Sequence, residues 1–152
     1  MSIEARIAEL GLTLPEPAKP VASYVSFVRS GDQVTISGQL SNDANGGIKG
    51  TVGVDVTPEQ AVDAARLCGL NLIAQIKAAC DGDLDRVVRI VKLGGFVQAG
   101  PDFDAIPAVI NGCSDLFVAV FGEAGKHARS AVGFGSLPRQ ITVEIEAIVA
   151  IS

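Results

Sequence analysis

Two side chains in this sequence have the type and the setting for chemistry: Arg129 and Glu144. Arg129 opens a short apolar run, Arg129-Ser130-Ala131-Val132, where a charge is costly unless something answers it. A guanidinium offers two parallel N–H donors that match a carboxylate, and a shielded cleft strengthens that pairing. A structural ion pair at a strand end or a subunit contact explains the residue equally well. Glu144 alternates with Val143 and Ile145, so it faces away from the Ile/Val side of its strand. An acid placed there could hold a water near an electrophilic carbon and accept its proton. A solvated strand face explains the same Glu-Ile-Glu pattern, and for Glu146 it is the preferred reading.

Other chemistries find little to work with. Cys68, Cys80 and Cys113 form no Cys-x-x-Cys pair, and an odd count argues against a disulfide framework. The single histidine, His127, cannot make a His-rich metal site and reads as a surface loop residue beside Lys126. A net charge of −5 with no Lys/Arg cluster makes a poor nucleic-acid binder, because counter-ion release supplies most of that affinity. Tyr24 is the only tyrosine and reads as a core or edge aromatic, or as part of a cleft. Ser37-Gly38 is a strand end, or a place where the backbone approaches a ligand closely. Asn111 has the residue type that caps a helix.

These residues need a frame. The chain has 152 residues, 48% of them apolar, enough for one domain with a real core. No apolar run reaches the roughly 18 residues of a membrane span. The acidic start MSIEARIAEL lacks the basic and apolar regions of a signal peptide, so a cytosolic protein is expected. The apolar content is Ala, Val and Ile with few aromatics, and part of it suits burial between subunits.

Residues 1–20 read as a short helix from Ser2 to Leu10, stopped by Gly11, and a strap carrying Pro15, Pro17 and Pro20. Residues 21–152 read as the domain proper. A hairpin is expected from strands at Tyr24–Arg29 and Gln33–Ser37 around Ser30-Gly31-Asp32. Thr57-Pro58-Glu59-Gln60 is a capping box with proline at the first helical position. The helix it starts runs to about Cys80, with Ala61, Ala64, Ala65, Cys68, Leu72, Ile76 and Ala79 on one stripe. A strand follows at Val87–Val97, with Gly94-Gly95 as a candidate bulge. A second helix is expected at Ile110–Phe121, then strands at Arg129–Phe134 and Gln140–Ile151. The order is ββαβαββ, an α+β layer with both helices on one face of the sheet.

Three segments, ASYVSFVRSGDQVTISGQL, HARSAVGFGSLP and ITVEIEAIVA, resemble the RidA/YjgF family, also labelled L-PSP endoribonuclease-like. Their order and separations, and the elements between them, match over roughly Val21 to Ile151. The resemblance is nearest to a branch with an added N-terminal segment and a longer loop before the second helix. It implies a chorismate-mutase-like fold in a homotrimer, barrel-like at its centre, with clefts between neighbouring subunits. It implies cofactor-independent hydrolysis of reactive 2-imino acids to 2-keto acids and ammonia. Arg129 would bind the substrate carboxylate and Glu144 would orient or activate water. Tyr24, Ser37, Gly38 and Asn111 would line the cleft. Ala131 stands where many deaminases of the family have cysteine, which leaves only a backbone role there. A non-catalytic binder of small acids is the alternative, and a ribonuclease or translation inhibitor ranks lower on charge.

Overall fold

The computed structural model describes residues 1–152. Ser2 caps the first helix, α1 (Ile3–Glu9), by accepting from the Ala5 N–H at 3.1 Å. Gly11 then turns the chain with φ +68, a conformation that costs glycine little. Next come β1 (Phe27–Ser30) and β2 (Gln33–Leu40), α2 (Pro58–Ala79), β3 (Val87–Gln98) and α3 (Ile106–Phe121). The chain finishes with β4 (Ala128–Phe134) and β5 (Val143–Ile151). The expected ββαβαββ order is therefore present, preceded by α1.

The five strands lie in the order β1-β2-β5-β3-β4. Pairing is antiparallel except between β3 and β4, which α3 connects as a crossover. Both long helices lie on one face. Val143, Ile145, Ala147, Val149 and Ile151 of β5 point into the shared core, while Glu144 and Glu146 face the other way. The capping box at Thr57 forms in both directions, with Gln60 N–H to Thr57 Oγ1 at 3.1 Å and Thr57 N–H to Gln60 Oε1 at 2.9 Å. The expected stripe of α2 is buried, Ala79 only in part.

The helices cross closely because of glycine. A Cβ on Gly112 would land on the Val62 carbonyl oxygen, and one on Gly69 would come within 2.9 Å of Leu116 Cδ2. Side chains such as Leu72, Ile73, Ile110, Leu116 and Phe117 fill the space to either side and are fully buried. Each is worth roughly 1.5–3 kcal/mol of burial, whereas the three ion pairs are exposed and contribute little. The stretch Ile106–Gly125 is apolar enough to resemble a membrane span, but half of it is buried inside the domain. It is the core helix. Helix α1 joins the same core through Ile7, and Arg6 Nε reaches the Ala119 carbonyl at 3.0 Å.

Several expectations need correction. The first strand starts at Phe27, leaving Tyr24 in the bend before it. Gly94 and Gly95 hold regular register, and the shifts in β3 fall between Val87 and Arg89 and between Ile90 and Lys92. Glycine is needed there for space: a Cβ on Gly94 would meet Glu146, and one on Gly95 would meet Ile110. Asn111 sits inside α3, whose first turn begins earlier at Ile106, so it caps nothing.

Candidate functional site

The residues singled out above fall into two groups on different parts of the sheet. The first forms around a bulge. Ile36 pairs with Ala147 and Gln39 with Ile145, so β2 carries one extra residue at Ser37-Gly38. Bulges bend a strand and re-aim its side chains. Here Ser37 Oγ donates to the Val25 carbonyl at 2.7 Å, tying down the segment that carries Tyr24. Gly38 leaves room for Glu144, since a Cβ on it would land on the Glu144 carboxylate. Tyr24, Ser37, Gly38 and Glu144 thereby line one cavity of about 240 Å³, opposite the strap residues Ala18 to Val21. Burial, and next the charge of Glu146, push the Glu144 carboxyl above the ordinary carboxylate pKa. A half-buried acid of raised basicity suits proton transfer near neutrality.

Arg139 lines the same cavity and escaped sequence reasoning. It and Gln140 are left-handed at φ +59 and +58, strained for non-glycine residues. The buried Gln98 holds this turn. Its Oε1 accepts from Leu137 N–H at 2.7 Å, and its Nε2 donates to Gln140 Oε1 at 3.2 Å. The turn leads directly into the strand bearing Glu144, a signal that a cation would stand beside that acid.

The second group lies at the far edge of the sheet, on the helix side. Arg129 in β4 pairs with Leu93, so both side chains point toward the helices. Its Nη1 donates to Ser114 Oγ at 3.1 Å and its Nη2 to the Pro107 carbonyl at 3.3 Å. Pro107, Asn111 and Ser114 follow helical spacing along one face of α3. Ala131 is half-buried two residues further along β4. The ion pairs of the structure lie elsewhere, so no carboxylate of this chain answers the guanidinium. Arg129 and Glu144 thus occupy opposite faces of one sheet, and a single copy does not bring them together.

His127 is not the loop residue expected. It is half-buried, packs edge-on to Phe117 at 6.3 Å between centroids, and hydrogen-bonds both Ser114 and the Gly125 carbonyl. Burial lowers its pKa, as does the Arg129 charge. The three cysteines are free and buried, and burial raises their thiols. Carboxylates of Glu4, Asp83 and Asp85 converge as metal ligands would. Their oxygens already accept from Leu84, Asp85 and Ile3 backbone N–H groups, and they serve to dock α1.

Residues 4–143 match the model of the YjgF/chorismate mutase-like endoribonuclease family. The protein TCP17 of Trypanosoma cruzi is 45% identical over 152 residues, covering 99% of this chain and 94% of its own. A 2-iminobutanoate/2-iminopropanoate deaminase of Dermatophagoides farinae is 27% identical over 140 residues, covering 92% and 94%. Among solved structures, an Agrobacterium tumefaciens protein of unknown function superposes with TM-score 0.92 at 48% identity, covering 99% and 92%. E. coli TdcF with bound serine superposes with TM-score 0.62 at 28% identity, covering 92% and 96%. Other solved relatives bear the names endoribonuclease or translation initiation inhibitor. Family model, fold and element order agree, and the chain belongs to the RidA/YjgF family.

Proposed function

We propose that this protein is a cytosolic homotrimer that hydrolyses reactive 2-imino acids to 2-keto acids and ammonia, without metal or organic cofactor, at clefts between its subunits. The observation that carries this reading is the division of the site. The acid and its cavity lie on the face of the sheet away from the helices, and an arginine without a carboxylate partner lies on the helix side of the edge strand β4. A head-to-tail interface that closes into a ring joins such halves once per subunit.

In the joined cleft Arg129 grips the substrate carboxylate in its planar fork. Glu144 of the adjoining copy holds a water against the imine carbon. As the water attacks, its proton passes to the Glu144 carboxylate and the imine nitrogen becomes the amine of a carbinolamine. Glu144 returns the proton to that nitrogen, and as the C–N bond breaks the carbinolamine hydroxyl gives its own proton back to the carboxylate, so ammonia leaves and the ketone forms. Hydrolysis of a protonated imine is intrinsically easy, so positioning and one acid–base group suffice. The deaminase relative supports the reaction class, and the serine-bound relative supports a ligand with a carboxylate. The net charge of −5 weighs against RNA as substrate.

The test generates 2-iminobutanoate in situ and follows its loss. Wild type should accelerate hydrolysis and Arg129→Ala should not, with the oligomer unchanged. Absence of acceleration by the wild type, beside saturable binding of 2-keto acids, would replace the enzyme with a small-acid binder.

A further inference from the structure

We propose that Ser114 and His127 are positioning residues for Arg129, forming a hydrogen-bonded relay that sets the guanidinium plane and leaves its outer edge for a ligand carboxylate. The inference rests on the reading of Arg129 as the carboxylate clamp and adds to it the parts that aim the clamp.

Donor and acceptor rules settle the direction of every bond. Arginine only donates, so Ser114 Oγ is the acceptor at 3.1 Å. The Gly125 carbonyl only accepts, so His127 Nδ1 carries the proton at 2.6 Å. In a neutral ring Nε2 is then bare, and the Ser114 hydroxyl donates to it at 2.9 Å. The relay runs Arg129 to Ser114 to His127 to Gly125. Of the five N–H donors of a guanidinium, Ser114 and Pro107 engage two. The rest have no protein partner and are free for two carboxylate oxygens.

The surroundings keep the imidazole neutral. The charges around it are Arg129 of β4, Arg89 of β3, whose Nη2 reaches the Lys126 carbonyl at 3.2 Å, and the Lys126–Glu123 pair, which closes on itself at 2.7 Å. From α3 the ring meets Ser114 and Phe117, both uncharged. Protonation would place a second cation near the guanidinium and turn the Ser114 hydroxyl away from Nε2. An anion bound to Arg129 offsets that repulsion, so occupancy of the clamp and protonation of His127 are linked with positive sign.

His127 is the only histidine, so its ¹⁵N NMR signals need no assignment. Wild type at pH 7.5 should show the neutral Nδ1–H tautomer, and saturation with 2-oxobutanoate should raise the imidazole pKa. Ser114→Ala should weaken 2-oxobutanoate binding by about three- to tenfold, the loss of one hydrogen bond, and raise KM for the imine with kcat nearly unchanged. Ser114→Thr, which keeps the hydroxyl, should restore most of both. A merely structural role would lower thermal stability and the active fraction while sparing KM. An Nε2–H tautomer, or an imidazole pKa indifferent to the keto acid, overturns the relay without recourse to variants. If Arg129→Ala abolishes binding but Ser114→Ala leaves Kd unchanged, the relay alone falls. If Arg129→Ala changes neither binding nor turnover, the clamp falls and the relay with it.

Discussion

Replacing Gly38 by alanine should disable the acid half of the cleft while leaving the fold intact. The added Cβ would overlap Glu144 Oε1 and lie 3.0 and 3.1 Å from its Cδ and Cγ. Gly38 is not left-handed, so alanine meets only the steric conflict. What it meets is the end of a half-exposed side chain, which can rotate away for about 0.5–1.5 kcal/mol. At this chain length that shifts Tm by roughly 2–4 °C per kcal/mol. Displacing the carboxylate by about 1 Å from its water should cost roughly 100-fold in kcat, or about 2.7 kcal/mol of barrier. Imine loss and thermal melting of Gly38→Ala are measured beside Glu144→Gln and the double variant. If Gly38 acts by making room for the acid, the double variant is no slower than Glu144→Gln alone. A folded Gly38→Ala enzyme with wild-type kcat, or a double variant with the product of the two losses, refutes the reasoning.

Glu146→Gln removes the like charge that helps raise the Glu144 pKa. Activity that needs the carboxylate is lost as pH falls through that raised value, so the acid limb of kcat/KM should move to lower pH in the variant. Thr57→Ala removes the hydroxyl that accepts from the Gln60 N–H in the capping box of α2 and should cost about 1 kcal/mol, read as a lower Tm with unchanged KM. Gly112→Ala drives a methyl onto the Val62 carbonyl, backbone that cannot swing aside. It should cost about 1–3 kcal/mol in denaturant unfolding.

Much of the fold was legible because its signals are local. The capping box announced α2, and the alternation of β5 announced which side is buried. The start of α3 was harder: Ala105 gives no side-chain cap, and Pro107, which belongs in a first turn, stands in a stretch, Asp102 to Ala108, that reads equally as loop or as the start of a helix. The strand expected at Tyr24 failed because Ser37, through its hydroxyl and a bulge, binds that segment without strand pairing. Of the site, Glu144, Ser37 and Gly38 could be placed together from motif and strand. The left-handed turn that presents Arg139 carries no glycine to mark it. The partnership of Ser114 with His127 joins the middle of α3 to the turn into β4, a contact that exists only after packing. That Arg129 and Glu144 face opposite ways follows from register, which no single strand reveals.

Subunit complementation tests the central claim most directly. Arg129→Ala and Glu144→Gln chains, each inactive alone, are unfolded together in equal amounts, refolded, and assayed for imine hydrolysis. Random assembly gives about one cleft in four an intact Arg129 from one copy and an intact Glu144 from the next, so activity should return to about a quarter of wild type. Mixed assemblies that form but stay as inactive as their parents would contradict a cleft built from two subunits.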